Sequence, residues 1–357
     1  MIERHEMQTN NRGIAASPFR AAALVLALSS TAVLAQVSYP AAIPSTARIL
    51  LDGSQITISN SVLSASWRVG DVGLRPEFFR DAASQRQVTL TGEAFEIVLT
   101  NGEHYAASAL RRDGPARLNE LTPDPKAARL AARIPGRRVE VPLRSADGRL
   151  RMVWRAVLHD GGNYIRQEIE ASAAREDCVI REILWLNQTI PDAQQVGRVD
   201  GSPVVARDFF FGSEDPHALN EVRAPRQEIG TWSPQDLVGT QPRQKTWPLN
   251  AVQLQAGTNV FSVLCRIPRN AVLKRGETMT QSFVFGVAPA GQMRRAFLYY
   301  LERERAHPYR PYLHYNSWYD TAWSPFALNE TNCLEAIRLC GDRVPISCRG
   351  GLTSLRA

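Results

Sequence analysis

Two short stretches of this 357-residue chain hold residue types suited to gripping a polar ligand. The first is DFFFGSEDPHALN, Asp208 to Asn220, where three consecutive Phe run into an acidic turn that also carries Pro and His. Glu214 and His217, with Asp215 between them, are groups that hydrogen-bond a polyol, and the Phe run suits a strand feeding a pocket. A plainer reading of the same residues is a core strand followed by a solvated turn. The second stretch is HYNSWYD, His314 to Asp320. Here Trp318 offers an apolar face beside the Asn316 amide and the Asp320 carboxylate. Sugars bind in that manner, with the C–H face on an aromatic ring and the hydroxyls on an amide or carboxylate. Packing of Trp318 and Tyr319 at a contact between domains is the competing explanation.

Other site classes are missing from the sequence. There is no Gly-x-Ser-x-Gly elbow, no phosphate loop and no His-Glu-x-x-His. The six histidines, His5, His104, His159, His217, His307 and His314, have no ligand spacing among them, so the sequence calls for neither a metal nor a cofactor. A net charge of +7 invites a nucleic-acid partner, but the basic residues are almost all Arg, with Lys only at Lys126, Lys245 and Lys274. They are scattered and not interleaved with aromatics, which reads as a solvated Arg-rich surface and not as a nucleic-acid groove.

The elements that must position these residues are mostly strands. From about Ile49 to Val287 apolar residues recur at a period of two. Leu63, Ala65, Trp67 and Val69 alternate with polar partners, and Phe95, Ile97 and Leu99 stop at the turn signal Asn101-Gly102. Val139, Val141 and Leu143 form one arm of a hairpin closing at Asp147-Gly148, and Leu150, Met152 and Trp154 begin its return arm. That arm turns again at Asp160-Gly161-Gly162. Further strands are expected at Val179–Leu186, Val260–Leu264 and Phe283–Val287. Long strands with no helix-period segment between them predict a large antiparallel β-sandwich.

The period then changes. AGQMRRAFLYYLERERA predicts an amphipathic helix of about four turns, with Met293, Phe297, Tyr300 and Leu301 on its apolar face and Arg and Glu opposite. HPYRPY is a stiff connector. LHYNSWYD reads as a strand ending in a loop, and Asn332 to Leu339 as a short helix with Asn332 and Glu335 in capping-box spacing.

Both ends carry further signals. Arg4, Arg12 and Arg20 precede the apolar run Ala21 to Ala35, which ends in the small-x-small site Val33-Leu34-Ala35. The run is short of the ~20 residues that span a membrane, so it predicts a cleaved signal peptide, cut after Ala35, and a secreted or periplasmic product without a membrane anchor. Of the five cysteines, Cys178 and Cys265 fall in strand contexts that suit buried free thiols, while Cys333, Cys340 and Cys348 cluster in the last 25 residues. An odd number leaves one unpaired, and no C-x-x-C is present. The ending CGDRVPISCRGGLTSLRA lacks any period, and an interruption of the reading frame near Arg343 is expected.

YNSWYD, following an all-β region and an amphipathic helix, resembles the first barrel strand of clan D glycoside hydrolases, the α-galactosidase-like families 27 and 36. FFFGSEDPHA and NYIRQE are similar to segments of bacterial proteins of this group. The resemblance implies a galactose-mutarotase-like supersandwich, then a linker helix, then a (β/α)₈ barrel of which this chain holds a single βα unit. Its boundaries would be 1–35 signal peptide, 36–288 sandwich, 289–312 linker, 313–340 βα unit and 341–357 irregular tail. It further implies a retaining mechanism with two aspartates ~5–5.5 Å apart on later barrel strands. Residues after Asp320 contain one further Asp, Asp342, so neither aspartate is matched. Trp318 alone transfers, as an apolar wall of the sugar subsite, and the implied partner is a carbohydrate such as an α-galactoside. The alternatives are a non-catalytic carbohydrate-binding sandwich and a purely structural one.

Overall fold

A computed structural model of the chain describes residues 37–223, 262–307 and 329–343, with side chains up to 339 in the last stretch. Along the chain, β1 (Arg48–Asp52), β2 (Gln55–Ser59), β3 (Leu63–Val69), β4 (Leu74–Asp81) and β5 (Gln87–Thr89) form a five-stranded antiparallel meander. Next come β6 (Glu96–Leu99), β7 (His104–Ala106), β8 (Arg111–Arg112), β9 (Arg117–Leu121), β10 (Gly136–Arg144), β11 (Leu150–His159), β12 (Tyr164–Ala173) and β13 (Cys178–Thr189). The strands end with β14 (Ala193–Gln195), β15 (Val204–Ala206), β16 (Phe209–Ser213), β17 (Leu219–Arg223), β18 (Ser262–Leu273) and β19 (Thr278–Val287). A nine-stranded sheet runs β14-β15-β16-β19-β12-β11-β10-β8, with β9 also paired to β10. A second five-stranded sheet runs β17-β18-β13-β6-β7. Every named ladder is antiparallel, as the period-two pattern requires.

One face of the nine-stranded sheet is covered by both smaller sheets. Trp154 of β11 packs on Trp67 of β3 with ring centroids 5.1 Å apart, Phe285 of β19 on Phe79 of β4 at 4.5 Å, and Phe283 of β19 stacks on Trp185 of β13 at 5.8 Å. These rings belong to one continuous core fed by all three sheets. Chain turns sit where the sequence marks them. Gly102, Gly148 and Gly161 adopt φ of +90°, +71° and +69°, a region closed to most L side chains, and each reverses the chain at a predicted hairpin. Cys178 and Cys265 are buried free thiols; burial raises both pKa values, that of Cys265 far above the usual thiol range.

Alternation gives the large sheet a second, outward face with an uncommon composition. On β10, β11 and β12 the core side takes Val139, Trp154 and Ile169, while the outward side takes Arg138, Glu140, Arg155, Arg166, Glu168 and Glu170. Arg155 is held between Glu140 at 3.1 Å and Glu170 at 3.0 Å. The Arg-rich surface expected to be simply solvated is, on these strands, a half-buried lattice of guanidinium–carboxylate pairs.

Helix α1 (Met293–Glu304) docks on this outward face. Its buried positions are Ala296, Tyr299, Tyr300 and Arg303, whereas Leu301 is 38% exposed. The apolar face expected from the sequence is therefore rotated, and Arg303 is inside. The reason is the neighbour: Arg303 donates to the Asp160 carbonyl and the Tyr299 hydroxyl, both at 2.7 Å, and Tyr299 donates to the Gly161 carbonyl at 2.9 Å. The turn after β11 thus presents carbonyls that a guanidinium satisfies and Leu301 cannot. Tyr39 packs on Tyr299 from the other side, 5.5 Å between centroids.

Helix α2 (Glu330–Arg343) is longer than the Asn332–Leu339 segment expected. Its N-cap is Asn329, whose Oδ1 accepts from the Asn332 backbone N–H at 2.9 Å, and not Asn332. β18 starts at Ser262, the first described residue of its stretch, and continues beyond Leu264 to Leu273. The signal peptide, the Trp318 segment and the irregular tail lie outside the described residues.

Candidate functional site

Strand β16 (Phe209–Ser213) is a core strand on one face and the seat of α1 on the other. Phe209 and Phe211 point into the main core, and Phe210 points out, beneath α1. Phe210 lies opposite Gly286 of β19, and its ring fills the space above that glycine. A Cβ on Gly286 would stand 2.1 Å from Phe210 Cζ. The lowered ring supports Phe297 at 5.3 Å and Tyr300 at 5.6 Å.

Beyond Ser213 the chain turns tightly. The Asp215 carboxylate accepts from the His217 backbone N–H at 2.9 Å, an Asx turn. Asn220 braces the turn: its Oδ1 accepts from the Ser213 N–H at 3.0 Å and its Nδ2 donates to the Ser202 carbonyl at 3.1 Å.

Glu214 heads a buried polar network that joins the turn, the sheet and α1. Arg166 Nε and the Tyr300 hydroxyl both donate to its carboxylate at 2.5 Å. Arg166 also donates to Glu168 and, at 3.0 Å, to Ser282 Oγ. Glu304, at the end of α1, accepts from the Tyr164 hydroxyl at 2.6 Å and stands 3.4 Å from Arg129 and 3.9 Å from Arg166. Burial, and next the Glu214 charge, hold the Glu304 carboxyl above the usual carboxylate range, against the pull of Arg166, Tyr164 and Arg129. Tyr300 and Tyr164 are pushed well above the ordinary phenol value by burial first, then by the carboxylates they face. Burial opposes the Arg166 charge, but Glu214, Glu168 and Glu304 together hold it firmly protonated.

Glu214, Asp215, Ser202, Val284, Phe297 and Tyr300 border a cavity of about 430 Å³ on the outside of this network. Its walls are mostly apolar and partly aromatic, and Asp200, Glu214 and Asp215 contribute carboxylates to them. Of the predicted residues, Glu214 is therefore at a cavity, with both its oxygens already bonded within the protein. His217 is not at the cavity: its side chain is 85% exposed, with Nδ1 3.5 Å from Asp215. Asn316, Trp318 and Asp320 lie outside the described residues. Sequence reasoning missed Arg166 and Tyr300 as the partners of Glu214. NYIRQE holds Arg166, and its place on an outward-facing position of a strand was the available signal.

No family model matches this sequence, and no curated protein does. Among solved structures the chain is similar to the GH36 α-galactosidase AgaB of Geobacillus stearothermophilus, with a TM-score of 0.43 and 11% identity over 83% of this chain and 49% of that one. It is also similar to the galactosidase domain of the α-galactosidase-sucrose kinase AgaSK, with a TM-score of 0.38 and 8% identity over 68% of this chain and 42% of that one. A third is a single-substitution variant of the GH36 α-galactosidase AgaA, also of Geobacillus stearothermophilus, in complex with 1-deoxygalactonojirimycin, with a TM-score of 0.35 and 11% identity over 83% and 48%. The chain spans less than half the length of each of these proteins.

Proposed function

We propose that this chain is the exported β-sandwich portion of an α-galactosidase-like retaining glycoside hydrolase, together with the first strand of its catalytic barrel. The observation that carries the reading is the order of parts. An antiparallel sandwich ends in a helix locked to its outer face through Arg166, Glu214 and Glu304, and in the sequence that helix is followed by the HPYRPY connector and then YNSWYD. In this reading α1 aims the following strand, Trp318 lines the sugar subsite with Asn316 and Asp320 beside it, and residues 21–35 direct export. Residues 321–357 contain only Asp342 as an aspartate, so the nucleophile and the acid/base lie beyond what this chain supplies. Sequencing the locus past codon 357 tests it. Translation in three frames is expected to show a barrel-like continuation with Asp-Asp-Gly-Trp character, and none in any frame would overturn the reading. The purified chain is expected to leave aryl α-galactosides uncleaved, and hydrolysis abolished by Asp320→Asn or Asp342→Asn would equally sink it.

A second reading is favoured by the cavity beside Glu214. Its aromatic wall suits a non-catalytic carbohydrate-binding role for the sandwich itself. Calorimetric binding of an α-galactoside, lost in Phe297→Ala, would support that role.

A further inference from the structure

The pairing of charges on the outward face of the large sheet stops at one rung. Register sets Arg111 of β8 opposite Arg144 of β10, and Arg144 opposite Arg151 of β11. The rung continues through Ser172 of β12 to Thr278 of β19. Three guanidinium groups thus stand on neighbouring strands, although like charges directly opposed cost a sheet stability. Two more arrive from turns, Arg175 between β12 and β13 and Arg275 between β18 and β19. Arg144, Arg151, Arg175 and Arg275 line a groove of about 450 Å³, with Ser172 and Thr278 beside them and no Asp or Glu in its lining. Farther along the same face Arg138, Arg155 and Arg166 each have a carboxylate. Here Asp113, 3.4 Å from Arg144 and 3.9 Å from Arg151, is the one carboxylate paired with any of the five among the described residues.

From this geometry we infer that the groove binds one multiply charged oxyanion, a phosphate or sulfate group. Three observations carry the assignment. First, unpaired charge: the acids nearest the turns are engaged elsewhere. Asp177 accepts from the Arg275 backbone N–H at 2.8 Å, Glu277 accepts from the Lys274 backbone N–H at 3.1 Å, and Glu103 and Glu176 both hold Arg149. The Arg175 and Arg275 guanidinium groups are left with no carboxylate among the described residues. Second, access: the Arg144 and Arg151 side chains are 44% and 69% exposed, so a ligand reaches their donors. The planar fork of Arg meets the oxygens of a tetrahedral oxyanion two N–H groups at a time. Third, rigidity: the turns are laced together through the main chain. The Ala174 N–H donates to the Arg149 carbonyl at 2.7 Å, and the Gly276 N–H to the Ala173 carbonyl at 2.8 Å. Arg175 lies flat against Gly148, where a Cβ would stand 3.1 Å from its Cζ, Nε and Nη2. The charges are therefore gathered before a ligand arrives, which lowers the cost of binding one. A neutral sugar would leave this excess of positive charge unanswered. The assignment stands apart from the Glu214 cavity and from the Trp318 reading, since it uses neither.

The test is calorimetric titration of the purified chain, at fixed ionic strength, with inorganic phosphate, inorganic sulfate, glucose 6-phosphate and, as a singly charged control, acetate. Saturable binding of phosphate or sulfate is expected with Kd on the order of 1 mM, at least tenfold tighter than acetate. Tighter binding of glucose 6-phosphate than of inorganic phosphate would identify the bound group as part of a sugar ester, and the reverse order would identify a free ion. Arg175→Gln/Arg275→Gln removes two guanidinium groups that have no ion pair, so it should keep the wild-type melting profile and lose at least tenfold in affinity. Arg151→Gln, which leaves β11 a long side chain, should lose affinity in the same way. Arg48→Gln, on β1 of a different sheet, should leave binding intact. Absence of saturable binding would overturn the assignment. So would acetate binding as tightly as phosphate, or undiminished binding in Arg175→Gln/Arg275→Gln.

Discussion

Adding one methyl group at Gly286 tests the outer layer of this fold. Gly286 lies in β19 between Tyr164 and Phe210, and Gly286→Ala would place a Cβ 2.1 Å from Phe210 Cζ and 2.5 Å from both Cε atoms. Carbon atoms rest at about 3.5–4.0 Å, so the ring must move by roughly 1.5 Å. It has nowhere to go: Phe210 is fully buried, with Phe297 and Tyr300 above it. Overpacking of this sort costs about 1–3 kcal/mol, and disturbing the aromatic pairs adds about 0.5–1.5 kcal/mol. The expected destabilisation is therefore about 2–4 kcal/mol. Phe210→Ala alone should cost about 3–5 kcal/mol through the void it leaves. In that background the added methyl meets no ring, so Gly286→Ala should then cost less than about 1 kcal/mol, a coupling of about 1 kcal/mol or more. Urea unfolding followed by circular dichroism reads all four corners of the cycle. Additive single effects, or a Gly286→Ala cost below about 0.5 kcal/mol, would refute the idea that this glycine exists to seat Phe210 under α1.

Two further outcomes follow from the buried network. Arg166→Met leaves Glu168, Glu214 and Glu304 facing one another without their shared cation, and should destabilise the chain by about 3–5 kcal/mol near neutral pH; a urea-derived loss under about 1 kcal/mol would show the network is dispensable. Glu304 has a raised pKa, so the folded state holds its proton where the unfolded chain has released it. Its contribution is therefore complete below the ordinary glutamate value of 4.5 and is lost as pH rises from there through the raised value. Across that interval the stability of wild type should fall relative to Glu304→Gln, and parallel urea midpoints for the two proteins would contradict the assignment.

Much of the architecture was written in local pattern. A two-residue period in Leu63–Val69 and Leu150–Trp154 is a statement about which face of a strand avoids water, and a buried face admits no other register. Asn101-Gly102 and Asp147-Gly148 announce hairpins because glycine alone takes up positive φ without strain. The burial of Cys178 and Cys265 follows from the same alternation.

The outer layer was not local. The period of α1 shows that one side is apolar, yet its docked face is set by what the sheet offers. Carbonyls at Asp160 and Gly161 draw Arg303 and Tyr299 inward and turn Leu301 out. Glu214 looked like a free ligand group because Arg166 and Tyr300 are 48 and 86 residues away in sequence. The strand alternation, the turns and the helix were thus determined by the sequence itself, since each depends on neighbours within a few positions. Which charges meet, which cavities remain between them and which carboxylate keeps its proton were decided only by tertiary structure, because Coulomb energy and desolvation depend on distance through space and not along the chain.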